Sequence, residues 1–309
     1  MAFVINAALM TVISSAAPER LILIVCLRTL DAIEGARQIL RLFIVLMLAP
    51  WPAVAEQLSD DDWSGFASAD IVVIGEVHDN PHHHINQALA VAALSPGALV
   101  FEMLTPELAA SVTNENRSDP DVLADLLEWE ARGWPDFSMY FPIFLAAPEA
   151  AIFGGGIPRE DVRRATSEGA AAVFGDGAAI FALDQDYAED IQLKLEAEQQ
   201  AAHCNALPPE TLPGMVAAQR LRDAALSRAA LAAVYETRAR AVASPVVVIT
   251  GNGHARREFG VPSLLAKLPE GLSVLSVGQL ESDPTDSPNF DFWIVTDTVG
   301  RPDPCEAFE

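Results

Sequence analysis

The run Ile71-Val-Val-Ile74, closed at once by Gly75, constrains the fold of this chain more than any other stretch. Four consecutive β-branched apolar residues leave no polar face for water, so they suit a strand covered on both sides, as in parallel sheets. Asn80 before Pro81 then reads as a helix N-cap and first helical position. Strand, short loop and helix open a βα unit, and in open α/β sheets ligands bind beyond the carboxyl ends of the strands. Of the 6 histidines in the chain, His78, His82, His83 and His84 all fall at this loop, beside Glu76 and Asp79. Near a helix start a histidine is most often a cap or a surface residue, which is the ordinary reading for the last three. His78 leaves the strand tip between two carboxylates and is the stronger functional candidate.

The same pattern recurs downstream. Ala98-Leu-Val-Phe reads as a second strand with Glu102 at its tip, where a carboxylate costs free energy unless it is paired or bound to a cation. If that strand lies parallel beside the first, Glu102 and His78 share a rim. Pro245-Val-Val-Val-Ile-Thr is the clearest strand, and it delivers His254 through a Gly251-Asn-Gly turn. Ala150–Phe153, Leu272–Val277 and Phe292–Val295 read as further strands, and Gly177–Leu183 as an edge strand. The glycines Gly154 to Gly156 lack the spacing of a phosphate-binding fingerprint and read as a turn. Helical patterns start at Asp119-Pro120 and Trp134-Pro135, and two longer ones run over about 186–203 and 212–241. On the last, Met215, Gln219, Arg222 and Asp223 share one face. The fold class is α/β: a mostly parallel central sheet flanked by helices, with an appended α-helical bundle from roughly 105–147 and 186–241.

Residues 1–55 differ from the rest. Arg37 and Arg41, the apolar run Leu42–Leu48 and Ala53-Val54-Ala55 give the three regions of a secretory signal in order. Cleavage near Ala55 would leave 56–309 as one secreted or periplasmic domain, with the natural start of the leader near Arg37. No lipid-accepting cysteine follows the cleavage site. The formal net charge of −24 repels nucleic acid and anionic lipid, so neither is an expected partner. Beyond the leader lie Cys204 and Cys305, and an isolated pair in an oxidising compartment suits a disulfide better than a metal site. It would pin the Pro-rich tail to the helical region.

Glu76, His78, Glu102 and His254 thus gather at strand tips. Two imidazoles and one or two carboxylates suit a divalent transition metal held by His78, Glu102 and His254, with a position open for water. Without metal the same groups suit general acid–base catalysis. The aromatic cluster around Trp129, Trp134, Phe137 and Tyr140 is ordinary core or an apolar wall for a flat ligand.

Gly-Glu-x-His-Asp-Asn-Pro-x-His-His-x-x-Gln, at Gly75 to Gln87, resembles the ChaN family of haem-binding, iron-uptake proteins. Phe101-Glu102-Met103, Trp134-Pro135, Pro158-Arg159, Pro213 to Asp223 and Gly251 to Arg256 are similar to that family in the same order. The resemblance spans roughly Asp70 to Leu280. It implies a parallel α/β sheet, a homodimer enclosing haem, and an outer-membrane haem receptor as a partner. In that reading a tyrosine ligates the iron and basic groups hold the propionates. Of Tyr140, Tyr187 and Tyr235, the first is the choice, with His83, His84, Gln219, Arg222 and Arg256 as further haem contacts. The wider superfamily, which includes the Tiki, TraB and erythromycin-esterase proteins, implies an alternative. There Glu76, His78, Glu102 and His254 serve a metal-dependent hydrolase of protease or esterase type. Haem binding is the favoured reading, and a non-catalytic scaffold is the third.

Overall fold

The computed structural model describes residues 10–11, 23–24, 56–58, 62–242, 245–303 and 305–306. The chain divides into two units, Met1–Ala53 and Val54–Glu309. In the first, Met10–Thr11 pairs antiparallel with Leu23–Ile24. The expected leader, with Arg37, Leu42–Leu48 and the cleavage site at Ala55, lies outside the described residues.

The second unit is built on seven strands: β1 (Glu56–Gln57), β2 (Ile71–Ile74), β3 (Ala98–Phe101), β4 (Ala151–Gly154), β5 (Val246–Ile249), β6 (Val274–Leu280) and β7 (Phe292–Val295). They form one sheet in the order β1-β7-β6-β2-β5-β3-β4, and every pair is parallel. Three central strands are wholly buried, as their unbroken apolar sequences require. Side chains alternate across the sheet. Val72, Ile74, Leu99, Phe101, Val247 and Ile249 belong to one core, and Ile71, Val73, Val100, Val246 and Val248 to the other. Each such side chain contributes roughly 1.5–3 kcal/mol on burial.

On the first face pack α1 (Pro81–Leu94) and, against it, α4 (Phe137–Ala146), with α2 (Pro106–Ala110) and α3 (Pro120–Leu126) nearby in the chain. On the second lie α5 (Arg159–Glu168), α6 (Ala170–Phe174), α8 (Leu212–Ala239) and α9 (Val261–Ala266), while α7 (Glu189–Ala202) packs on α8. The 28-residue α8 lies against β3, β4 and β5, and its buried stripe of Ala224, Ala225, Ala230 and Ala233 lets it approach closely.

Three differences from the sequence reading have physical causes. The stretch expected as an edge strand at Gly177–Leu183 is a 3-10 turn, Ala178–Phe181, bounded by left-handed backbone at Gly177 and Ala182. Phe181 and Leu183 bury into the second core instead of pairing. The strands β2 and β3 are not neighbours, because β5 enters between them in register, Ile74 facing Ile249 and Ile249 facing Phe101. The glycines at 154–156 are a close-packing device rather than a simple turn. A Cβ on Gly155 would meet Leu226 Cα at 2.9 Å, and one on Gly154 the carbonyl oxygen of Thr105.

Cys204 and Cys305 form a disulfide across 101 residues of sequence, with Cα atoms 5.4 Å apart. It ties the tail to the loop after α7, as expected, and such a closure is worth roughly 2–4 kcal/mol. Arg301 in that tail donates to both carboxylate oxygens of Glu281 at 2.6 and 2.7 Å and to Asp79 at 2.9 Å. Gly155→Ala is expected to lower stability by about 1–3 kcal/mol through overpacking against α8. The reading is a lower urea midpoint at unchanged slope.

Candidate functional site

The site is assembled where β2, β5 and β3 end side by side. The loop leaving β2 carries Gly75, Glu76 and His78, and the loop leaving β5 carries Gly251, Asn252 and His254. Each glycine makes room for the opposite loop. A Cβ on Gly75 would stand 2.3 Å from Asn252 Oδ1, and one on Gly251 would stand 3.0 Å from His78 Nε2. Asn252 N–H donates to the Glu76 carbonyl at 2.9 Å, so the pairing of the two strands continues into their loops. Gln279 of β6 closes the set by donating its amide to the carbonyls of Gly75 at 2.8 Å and His83 at 3.1 Å.

Side chains from these loops form an alternating row of carboxylates and imidazoles. Asp223 Oδ1 on α8 accepts from His254 Nδ1 at 2.7 Å. His254 Nε2 faces Glu102 Oε1 at 3.4 Å, and His78 Nε2 lies 4.0 Å from the same oxygen. His78 Nδ1 donates to Glu76 Oε1 at 2.7 Å, which also accepts from the Tyr140 hydroxyl at 2.7 Å. His84 Nδ1 lies 3.3 Å from Glu76 Oε2, and its Nε2 donates to the His78 carbonyl at 2.9 Å. The second Glu102 oxygen accepts from the Thr250 hydroxyl at 2.7 Å and from Gly251 N–H at 2.8 Å.

Charges follow from these contacts. Burial pushes the Glu76 carboxyl up, but the bond from His78 and the neighbouring His84 outweigh it and hold the group at about 2. Burial likewise opposes ionisation of Glu102, while the charge of His254, its bond, and His78 keep it well below the carboxylate range. His254 loses by burial and gains more from Glu102 and Asp223, so it is held strongly toward imidazolium. Asp223 is pushed up by complete burial and by the nearby Glu102 despite its contact with His254, so one positive charge serves two carboxylates.

His78, Glu102 and His254 therefore converge, although they come from three separate parts of the chain. They do so as an ion-paired row. Among the described residues no group of three or more His, Cys, Asp or Glu side chains could hold a metal ion. Glu102 offers a single free oxygen to both imidazoles, since its other oxygen is committed to Thr250 and Gly251.

The expected haem contacts lie in varied surroundings. Tyr140 is fully buried and its hydroxyl donates to Glu76 at 2.7 Å; burial and that carboxylate push its ionisation far above the usual phenol range. Burial drives His83 down to about 4, and the neutral ring accepts from Val77 N–H at 2.8 Å while facing Thr296 at 2.9 Å. It holds the loop, as does the buried His84. Arg256 is spent on Glu198, at 2.5 and 3.1 Å. The Gln219 amide sits 3.0 Å from His254 Nδ1, behind the row. Only Arg222 among these reaches the open cleft.

That cleft, of about 500 Å³, has His78 and Glu102 at its base. Trp134 stands on one wall, its ring 5.2 Å from that of His78. Ile157, Val162 and Leu226 supply apolar surface, and Arg132, Arg159 and Arg222 supply positive charge. The Trp129 indole donates to the Pro135 carbonyl at 2.7 Å and fixes the loop that presents Arg132 and Trp134. The role of Arg132 has no signal in the sequence, because it lies in a loop and joins Arg159 and Arg222 only in space.

A family profile described as "Haem-binding uptake, Tiki superfamily, ChaN" matches residues 63–265. The chain belongs to this family. The ChaN match contains every strand tip of the site. Among solved structures, one titled "Cofacial heme binding to ChaN of Campylobacter jejuni" is 18% identical, with a TM-score of 0.55 over 75% of this chain and 89% of that one. It shares the fold. The type III effector HopBA1 is 16% identical over 81% of this chain and 100% of its own length, with a TM-score of 0.43. No curated protein matches by sequence.

Glu76 gives a pH dependence with a definite sign. Its folded value, about 2, lies below its ordinary 4.5, so its stabilisation is complete above pH 4.5 and is lost as pH falls toward 2. Thermal melts across that window should show this acid limb, and Glu76→Gln should flatten it while lowering stability at neutral pH by roughly 3–5 kcal/mol, the cost of breaking a buried ion pair.

Proposed function

We propose that this ChaN-family protein binds haem in the cleft at the strand tips, with His78 Nε2 as the iron ligand. The carrying observation is the state of His78: its side chain is 34% exposed on the cleft, while its other nitrogen is fixed by a buried carboxylate. A ligating histidine is commonly oriented in this way by a carboxylate on its second nitrogen, which sets the tautomer and raises basicity. Trp134 and the apolar side chains beside it suit the flat macrocycle. When bound, the haem would supply an iron centre that the His78 imidazole could ligate; the protein would supply orientation and a shielded face. The family description supports a part in haem uptake. In that role the protein acts after export to the periplasm, as a homodimer, and receives haem from an outer-membrane receptor.

Haemin titration tests the reading. Wild-type protein is expected to shift the Soret band at micromolar haemin, His78→Ala to lose the shift, and Tyr140→Phe to keep it. A shift that survives in His78→Ala and disappears in Tyr140→Phe would return the ligand to the tyrosine.

One observation favours a second reading. Glu102 Oε1 lies within 4.0 Å of two imidazole nitrogens at the base of the same cleft, an arrangement suited to moving a proton during ester or peptide hydrolysis. In this reading His78 exchanges the proton with substrate and His254, backed by Asp223, holds Glu102 in place. A screen of ester and peptide substrates should then show turnover that His254→Ala lowers by roughly 10²–10⁴-fold. Equal turnover in variant and wild type would end it.

A further inference from the structure

The chain is strongly acidic, with 43 Asp and Glu against 19 Lys and Arg, and most of its arginines are taken. Arg164, Arg238, Arg256 and Arg301 contact carboxylates, and Arg117 and Arg220 donate to backbone carbonyls. The cleft is different. Arg132, Arg159 and Arg222 all line it, and among the described residues none of the three forms an ion pair. Arg132 Nε is buried without a hydrogen-bond partner. Arg159 gives one Nη2 bond, at 2.5 Å, to the Arg132 carbonyl and keeps its remaining donors. Arg222 is exposed and has no hydrogen bond of its own among the described residues.

Three unpaired guanidinium groups around one cavity repel one another. In a protein with so many carboxylates, their common solution elsewhere is an internal partner, and here that partner is withheld. Gly133, with φ +76, turns the chain between Arg132 and Trp134 and leaves no side chain in front of Arg159, whose Nη2 would lie 3.1 Å from an added Cβ. Helix α5 begins here as well, with no side-chain cap at Pro158.

We infer that Arg132, Arg159 and Arg222 form a carboxylate-reading edge of the cleft, which selects a flat ligand bearing two acidic groups and orients it by them. Guanidinium forks pair with carboxylates through two parallel N–H donors, so the edge supplies direction as well as attraction. This inference rests on the haem reading, in which the two acidic groups are the propionates. It assigns their recognition to residues 132, 159 and 222 and withdraws it from Arg256. Trp134 and Leu226 then face the macrocycle and His78 the iron.

The test compares haemin with its dimethyl ester, which keeps the ring and iron but lacks both acids. Each is titrated into wild type, into Arg222→Gln, and into Arg163→Gln as a charge control outside the cleft, with circular dichroism to confirm folding. The expected result is haemin binding that is at least roughly tenfold tighter than ester binding in wild type. In Arg222→Gln, haemin affinity falls about tenfold while ester affinity stays the same, and Arg163→Gln matches wild type in both. Equal affinity of wild type for the two forms, or an equal loss for both in Arg222→Gln, would overturn the arginine edge and leave haem binding standing. A protein that shifts the Soret band of neither form overturns the haem reading, and the inference falls with it.

Discussion

Glu102 is the constraint on which the rest of the site depends. A largely buried carboxylate is tolerable only if its charge is answered, and this one, 11% exposed, is answered from both sides. The Thr250 hydroxyl and Gly251 N–H take one oxygen, and the imidazoles of His254 and His78 approach the other. To satisfy it, β5 must run between β2 and β3, and α8 must bring Asp223 behind His254. The strand order, the long helix and the two glycine turns are therefore arranged around a single charge.

The row as a whole alternates in sign. Its outer end at Glu76 is anchored by Tyr140, His78 and His84, and its inner end by Asp223 and Gln219. His78 is its most exposed member, at 34% against 11% for Glu102. A site built in this way presents one imidazole to a ligand while holding that imidazole firmly from behind, which serves iron ligation and proton exchange equally well. The family assignment tips the balance toward haem, and the unpaired arginines describe what else such a ligand would have to carry.

Much of this was legible in the sequence. Unbroken Val and Ile runs ending in glycine specified parallel strands, and the strand-tip position of His78, Glu102 and His254 followed from them. The pairing of Cys204 with Cys305 also followed, from the cysteine count and the expectation of an oxidising compartment. What was not legible depends on tertiary information. Tyr140 lies in an aromatic helix, and nothing local distinguishes a ring on a ligand wall from one whose hydroxyl props a buried glutamate. His83 and His84 share a motif with His78, yet the helix turns them inward, where one accepts a backbone N–H and the other backs Glu76. The arginine edge joins a loop, the start of α5 and the middle of α8, and no spacing rule links those three places. The reason for the glycines at 154–156, contact with α8 and the β3 loop, is visible only in three dimensions.

The two Gly-x-x-His turns make room for each other, Gly75 before Asn252 and Gly251 before His78. The two turns are thereby sterically coupled. A side chain gained at either glycine injures the opposite turn first, so neither segment is free to drift alone, and compensation has to arise in the distant partner.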